Sequence, residues 1–192
     1  MKKILLFSMF ALFITSVDAQ IDLKINPLGI LFSSPDLSGE YAISEDIGVE
    51  LSVGVIYGSV LGSGLLDEAG RLDKSGYRIR LTGKYYFNPN RGIDKFFAGV
   101  YLGPKSNKFS GNEDFYGFDP GYKRTGFTIG LLAGYKVVSD KGFLFEASFG
   151  LGRTLGGEIT YNDADLNTID QEGFGIDGVA TLAVGYRIGS SR

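Results

Sequence analysis

Strict two-residue alternation, sustained over two long stretches, constrains this chain more than any other feature. From Thr125 to Val137 one parity holds Phe127, Ile129, Leu131, Ala133 and Tyr135. The other holds Gly126, Thr128, Gly130, Gly134 and Lys136, with Leu132 its one large apolar member. Ile47 to Gly58 repeats the pattern, with Ile47, Val49, Leu51, Val53, Val55 and Tyr57 opposite Gly48, Glu50, Ser52, Gly54, Ile56 and Gly58. A period of two is the signature of a β-strand whose faces meet different surroundings. Glycine weakens a strand and packs nothing on a solvated face, whereas a narrow barrel interior needs it, because side chains from every wall compete for the same space. The polar face is therefore predicted to point inward and the apolar face outward, to lipid.

The amino terminus reads as a secretory signal peptide over residues 1–19: Lys2 and Lys3, an almost wholly apolar run from Ile4 to Ile14, then Val17 and Ala19 before Gln20. That apolar run is shorter than the roughly 20 residues a membrane-spanning helix needs, so any membrane crossing of the mature chain would be made by strands. With no Cys in the chain, lipidation at cysteine, disulfides and thiolate metal sites are excluded. Residues 20–192 suit one domain by size. They carry 17 basic and 21 acidic residues, a net charge of −4, and no basic stripe of the kind that nucleic-acid binding requires.

Eight strands are predicted: Ile21 to Phe32, Leu37 to Ser44, Ile47 to Tyr57, Tyr77 to Phe87, Phe96 to Lys105, Thr125 to Val138, Phe143 to Arg153, and Phe174 to Ile188. Short turn-like connections (Glu45-Asp46, Asn88 to Lys95, Ser139 to Gly142) alternate with long polar ones (Val60 to Gly76, Ser106 to Arg124, Thr154 to Gly173). Tight turns at one rim and longer loops at the other are the plan of an up-and-down membrane barrel. The fold class expected is all-β, an eight-stranded antiparallel up-and-down transmembrane β-barrel.

A charge facing mid-bilayer costs about 2 to 4 kcal/mol for Arg or Lys, so Arg78, Arg80 and Lys84, alike in parity, are assigned to the lumen. The same parity points Glu40, Glu50, Lys136, Glu146, Asp177 and Arg187 inward. Mixed charges in a narrow interior imply a hydrogen-bonded ion-pair network that plugs it, because an unpaired buried charge is far more costly. Phe87, Tyr85, Phe96, Tyr135, Phe143, Phe145 and Tyr186 gather at one set of strand ends as an aromatic girdle, with Tyr57, Tyr77 and Phe127 at the other.

The chain contains no His as well as no Cys, which excludes Ser-His-Asp and Cys-His catalysis and histidine metal sites. Glu40, Glu50 and Glu146 are read as structural partners of the lumen cations in preference to a carboxylate acid/base pair. No catalytic residue and no cofactor is assigned. Asn162, Asp163 and Asp165 offer oxygen ligands to Ca²⁺, but without the glycine and distal glutamate of an EF-hand loop the acidic segment reads as solvated. Phe109, Phe115, Tyr116, Phe118 and Tyr122, among glycines and acids, either form a surface recognition patch or fold over the barrel mouth.

Ile25-Asn26-Pro27-Leu28-Gly29, Lys84-Tyr85-Tyr86-Phe87-Asn88-Pro89, Ala98-Gly99-Val100-Tyr101-Leu102-Gly103 and Val184-Gly185-Tyr186-Arg187-Ile188, together with the strand plan, carry a resemblance. The chain resembles the small outer-membrane β-barrels of Gram-negative bacteria, of the OmpX and OmpA-barrel type, and is especially similar to uncharacterised barrels of Bacteroidota. The resemblance implies an outer-membrane location, passage through the barrel-assembly machinery, lipid as the surrounding partner, and no catalytic residues. The expected function is non-enzymatic: support of the envelope, or contact with an extracellular partner through the loops. A narrow channel for small solutes, or a secreted soluble barrel holding an apolar ligand with its parity reversed, are the alternatives.

Overall fold

Strand edges left open invite pairing with other chains, and a sheet closed on itself removes them. A computed structural model of the chain describes residues 20–31, 33–58, 73–110, 121–161 and 175–189. They form one closed antiparallel barrel in which each strand pairs with its neighbours in sequence and the last pairs with the first. The strands are β1 (Ile21–Ile25), β2 (Asp36–Ala42), β3 (Ile47–Ile56), β4 (Asp73–Tyr86), β5 (Lys95–Ser110), β6 (Tyr122–Val138), β7 (Phe143–Tyr161) and β8 (Gly175–Ile188). The segment 1–19 proposed as a signal peptide lies outside the described residues.

Strand boundaries differ from the alternation reading at both rims, for identifiable reasons. The first strand does not run to Phe32; it stops at Ile25, and Pro27–Leu31 forms a short helix, α1. Proline supplies no ladder N–H and suits the first turn of a helix. Asn26 secures the break: its Oδ1 accepts from the Gly29 and Leu182 backbone N–H groups at 3.2 and 3.4 Å, and its amide donates to Asp36 Oδ2 at 3.1 Å. A Cβ on Gly29 would stand 2.5 Å from the Ser34 carbonyl oxygen, so glycine lets the helix close on the following turn.

At the opposite rim the strands are longer than expected. Segments 73–76, 106–110, 122–124 and 154–161, read as loop, are strand. Above the level of Tyr77 and Phe127 their outer face is no longer apolar, so the alternation fades although the ladder continues. The wall is consequently uneven: β1 has 5 residues, β7 has 19.

The faces divide cleanly. Leu23, Leu37, Leu51, Leu81, Val100, Leu131, Leu151 and Val184, one from each strand, are exposed on the outside, Leu131 to 67%. Inside, Tyr86, Ile93, Phe97, Tyr101, Leu132 and Val179 form a small apolar cluster. Gly130 and Gly134 make room for it: a Cβ there would meet the Tyr101 ring at 2.5 Å and the Phe97 ring at 2.6 Å. Inner-face glycines are thus the sites where aromatic side chains cross the lumen.

Candidate functional site: the polar lumen

The inner face carries its charges in two tiers separated by Tyr101. In the lower tier, Lys24 of β1 donates to Glu40 Oε2 at 2.6 Å, to Glu146 Oε2 at 2.7 Å and to Glu50. Lys84 of β4 reaches the same three carboxylates, at 3.2 Å to Glu40 and 2.7 Å to Glu50 and Glu146. Lys136 of β6 donates to Glu40 at 2.7 Å and Asp22 at 3.0 Å. Arg187 of β8 holds Asp22 with Nε at 2.6 Å and Nη2 at 2.8 Å, and also donates to the Ile93 carbonyl. The Tyr86 hydroxyl donates to Glu40 Oε1 at 2.5 Å. Lys136 lies over the Tyr86 ring and Lys84 over the Phe97 ring, 4.7 and 4.6 Å from their centroids, so the ammonium groups meet aromatic faces where they do not meet oxygen.

All eight charged groups of this tier are buried: Lys24, Lys84, Lys136 and Arg187 against Asp22, Glu40, Glu50 and Glu146. Four cations balance four carboxylates. Glu40, Glu50 and Glu146 bring one carboxylate oxygen each within 4.8 Å of one another, a spacing a metal ion would accept. Lys24 and Lys84 already occupy the space between them, so the donor set is satisfied by ammonium and does not fit a divalent cation.

The upper tier is less complete. Arg78 donates to Asp36 at 3.1 Å, Lys105 to Asp177 Oδ1 at 2.8 Å, and the Tyr101 hydroxyl to Asp177 Oδ2 at 3.1 Å. Arg80 is 4% exposed, yet its Nε and Nη1 have no hydrogen-bond partner; the neighbouring inward group, Thr82 Oγ1, has none either. The Arg80 guanidinium sits 5.7 Å from the centroid of Tyr101. At the mouth, Lys74, Phe109 and Tyr122 stand in register on three adjacent strands. Phe109 stacks on Tyr122 at 4.5 Å and Lys74 lies 5.8 Å from the Phe109 centroid.

The structure therefore places Glu40, Glu50, Arg78, Arg80, Lys84, Lys136, Glu146, Asp177 and Arg187 on the inner face, and brings all but Arg80 into ion pairs. Asp22, Lys24, Asp36 and Lys105 belong to the same network and were not singled out from sequence, although their positions in the alternation carry the signal. Phe109 and Tyr122 are strand residues of the mouth and not loop residues, because β5 and β6 run past the apolar belt. Phe115, Tyr116, Phe118, Asp163 and Asp165 lie outside the described residues.

Fold and interior together define a class: a narrow up-and-down β-barrel, apolar outside and filled inside by paired charges. The chain belongs to the family described as "Protein of unknown function (DUF3575)", whose model matches residues 4–174. No curated protein sequence matches it significantly. Among solved structures it is similar to Ail, the attachment invasion locus protein of Yersinia pestis. One such structure shows 16% identity and a TM-score of 0.47, covering 89% of this chain and 97% of that one. Another, of Ail in complex with the heparin analogue sucrose octasulfate, shows 15% identity and a TM-score of 0.45 over the same shares of the two chains.

Proposed function

We propose that this protein is a non-enzymatic barrel of the Gram-negative outer membrane, of the small Bacteroidota-like type, acting in the envelope or at the cell surface through the outer ends of its strands and loops. The observation that carries this reading is the belt of exposed apolar side chains on all eight strands, from Leu23 to Val184, around an interior of buried charge. A water-soluble barrel would reverse that arrangement, since exposed apolar patches of such extent mark a surface meant for lipid or protein. Aromatic pairs support the position of one interface: Tyr85 with Phe87, Phe87 with Phe96, and Phe143 with Tyr186, at 5.0 to 5.5 Å between centroids.

Transport through the lumen is disfavoured by the lower tier, where Lys24 and Lys84 link carboxylates of three other strands. Planar bilayers containing the folded protein are expected to show no single-channel steps; steady steps would replace the plugged reading with a channel. The membrane assignment is tested by fractionation with gel mobility before and after boiling. Recovery with outer membranes and a band that shifts on boiling are expected, whereas a mature chain soluble without detergent would sink it. Orientation follows from thiol labelling of intact cells: Asp165→Cys should react and Asp140→Cys, in the tight turn before β7, should be protected. The opposite result would invert the barrel.

A further inference from the structure

Above Tyr101 the charge balance of the interior breaks. Among the described residues, Lys74, Arg78, Arg80, Lys105 and Arg124 face the upper lumen or its mouth, and the carboxylates there are Asp36 and Asp177. Both are already engaged: Asp36 with Arg78 and Asn26, Asp177 with Lys105 and Tyr101. Burial, and after it the charges of Lys105 and Arg78, lowers the pKa of Lys74 at the rim.

A pocket of about 70 Å³ opens among these groups, lined by Lys105, Asn107, Arg124, Gly126, Thr154, Gly175 and Ile176. That is room for several waters or one small polyatomic ion. All of these lining residues but Ile176 have inward parity, and none of the described ones is acidic. The Arg124 guanidinium crosses from β6 to β8, where a Cβ on Gly175 would stand 2.6 Å from its Nη2; glycine at 175 is what admits it. Asn107 Oδ1 is buried in the same wall without a partner, and half a turn of its amide presents the NH₂ group instead. Beneath lies the buried Arg80, set over the Tyr101 ring with no hydrogen-bond partner for its Nε and Nη1 among the described residues, an independent sign that this part of the lumen lacks an anion.

We infer that the outer mouth is a binding site for a tetrahedral oxyanion, a sulfate or phosphate group borne by a water-soluble ligand, held by Lys105 and Arg124 with Asn107 and Thr154 completing its hydrogen bonds. Guanidinium and ammonium donors match such oxygens with charge-assisted bonds. A pocket inside the wall admits a soluble ligand and keeps out a lipid headgroup anchored in the surrounding bilayer. This site deepens the surface-contact reading given above and rests on it only for which rim meets the medium.

The test is equilibrium binding to the folded full chain in detergent micelles, at constant ionic strength, with inorganic sulfate and inorganic phosphate as probes and chloride as the balancing ion. Saturable binding is expected, with Arg124→Gln weakening it by about tenfold or more, the loss appropriate to a charge-assisted hydrogen bond. Among the described residues Arg124 makes no ion pair, so this variant should keep its heat-shifted band; Lys141→Gln, in the opposite turn, should bind like the parent. A sugar sulfate competing with the inorganic ion would identify an ester on a soluble ligand as the source. A failure to compete would restrict the site to the free ion. Competition by a phosphomonoester lipid in nanodiscs would overturn the exclusion of headgroups. Equal effects of chloride and sulfate, or unaltered binding by a folded Arg124→Gln, would overturn the site itself. Binding that persists in a protein found outside the outer membrane would instead refute the membrane reading and leave the site standing.

Discussion

Among the described residues, four cations and four carboxylates are interleaved below Tyr101 so that each ammonium touches at least two acids; above it, five cations meet two carboxylates. The same residue types thus do two different things in one lumen. Where charges balance and every hydrogen bond is made, the interior behaves as a solid core, and desolvation is offset by contacts on all sides. Where cations exceed acids, the interior holds potential that an ion from the medium can use. Neutrality, and not merely burial, separates the structural tier from the candidate binding tier.

The contrast can be broken most severely from below. Lys24→Met removes an ammonium shared by Glu40, Glu50 and Glu146 and leaves them with uncompensated charge; a loss of about 3 to 5 kcal/mol is expected, read from urea titration of the heat-shifted gel band. Parent-like stability in this variant would mean the lower tier is not a core. Leu131→Arg moves the question to the outer face. The expected loss is about 2 to 4 kcal/mol, measured in lipid vesicles, against none for arginine at Ser110 beyond the belt. Gly130→Ala pushes a methyl group toward the Tyr101 ring that divides the tiers, and overpacking of this sort costs about 1 to 3 kcal/mol in the same titration. The smallest effect sharpens the comparison most. Arg80→Met should be neutral or stabilising by about 1 kcal/mol, because it removes a buried charge that has no acidic partner. A marked loss of stability there would show that the upper tier is as tightly satisfied as the lower.

Period-two alternation made the closed barrel and the sense of its faces legible from sequence, because an apolar exterior imposes itself on every second residue of a strand. Glu40, Lys84 and Lys136 follow from that parity once the strands are placed. Lys24 and Asp22 obey the same rule, but their strand ends after five residues, and a reading that carried it through Pro27 hid how near they lie to the seam. Asn107 and Arg124 were illegible for another reason. They stand where the strands have left the apolar belt, so no hydrophobic period marks the ladder that holds them, and their convergence depends on Gly126 of β6 and Gly175 of β8, two strands apart.

Lys24 has a further consequence for how the ring shuts. Strand β1 meets only β2 and β8 along its backbone, yet its ammonium reaches Glu50 on β3 and Glu146 on β7 across the interior. A sheet still open at this seam holds Glu40, Glu50 and Glu146 with Lys84, Lys136 and Arg187, and β1 brings one charge of each sign, Lys24 and Asp22. Arrival of the first strand leaves that balance unchanged and supplies the cross-links: Lys24 to the three glutamates, and Asp22 to Lys136 and Arg187. The five-residue seam therefore works as a clasp, fastened less by its own ladder than by a pin passed through the middle of the barrel, and prising it apart sideways means pulling that pin from three carboxylates at once.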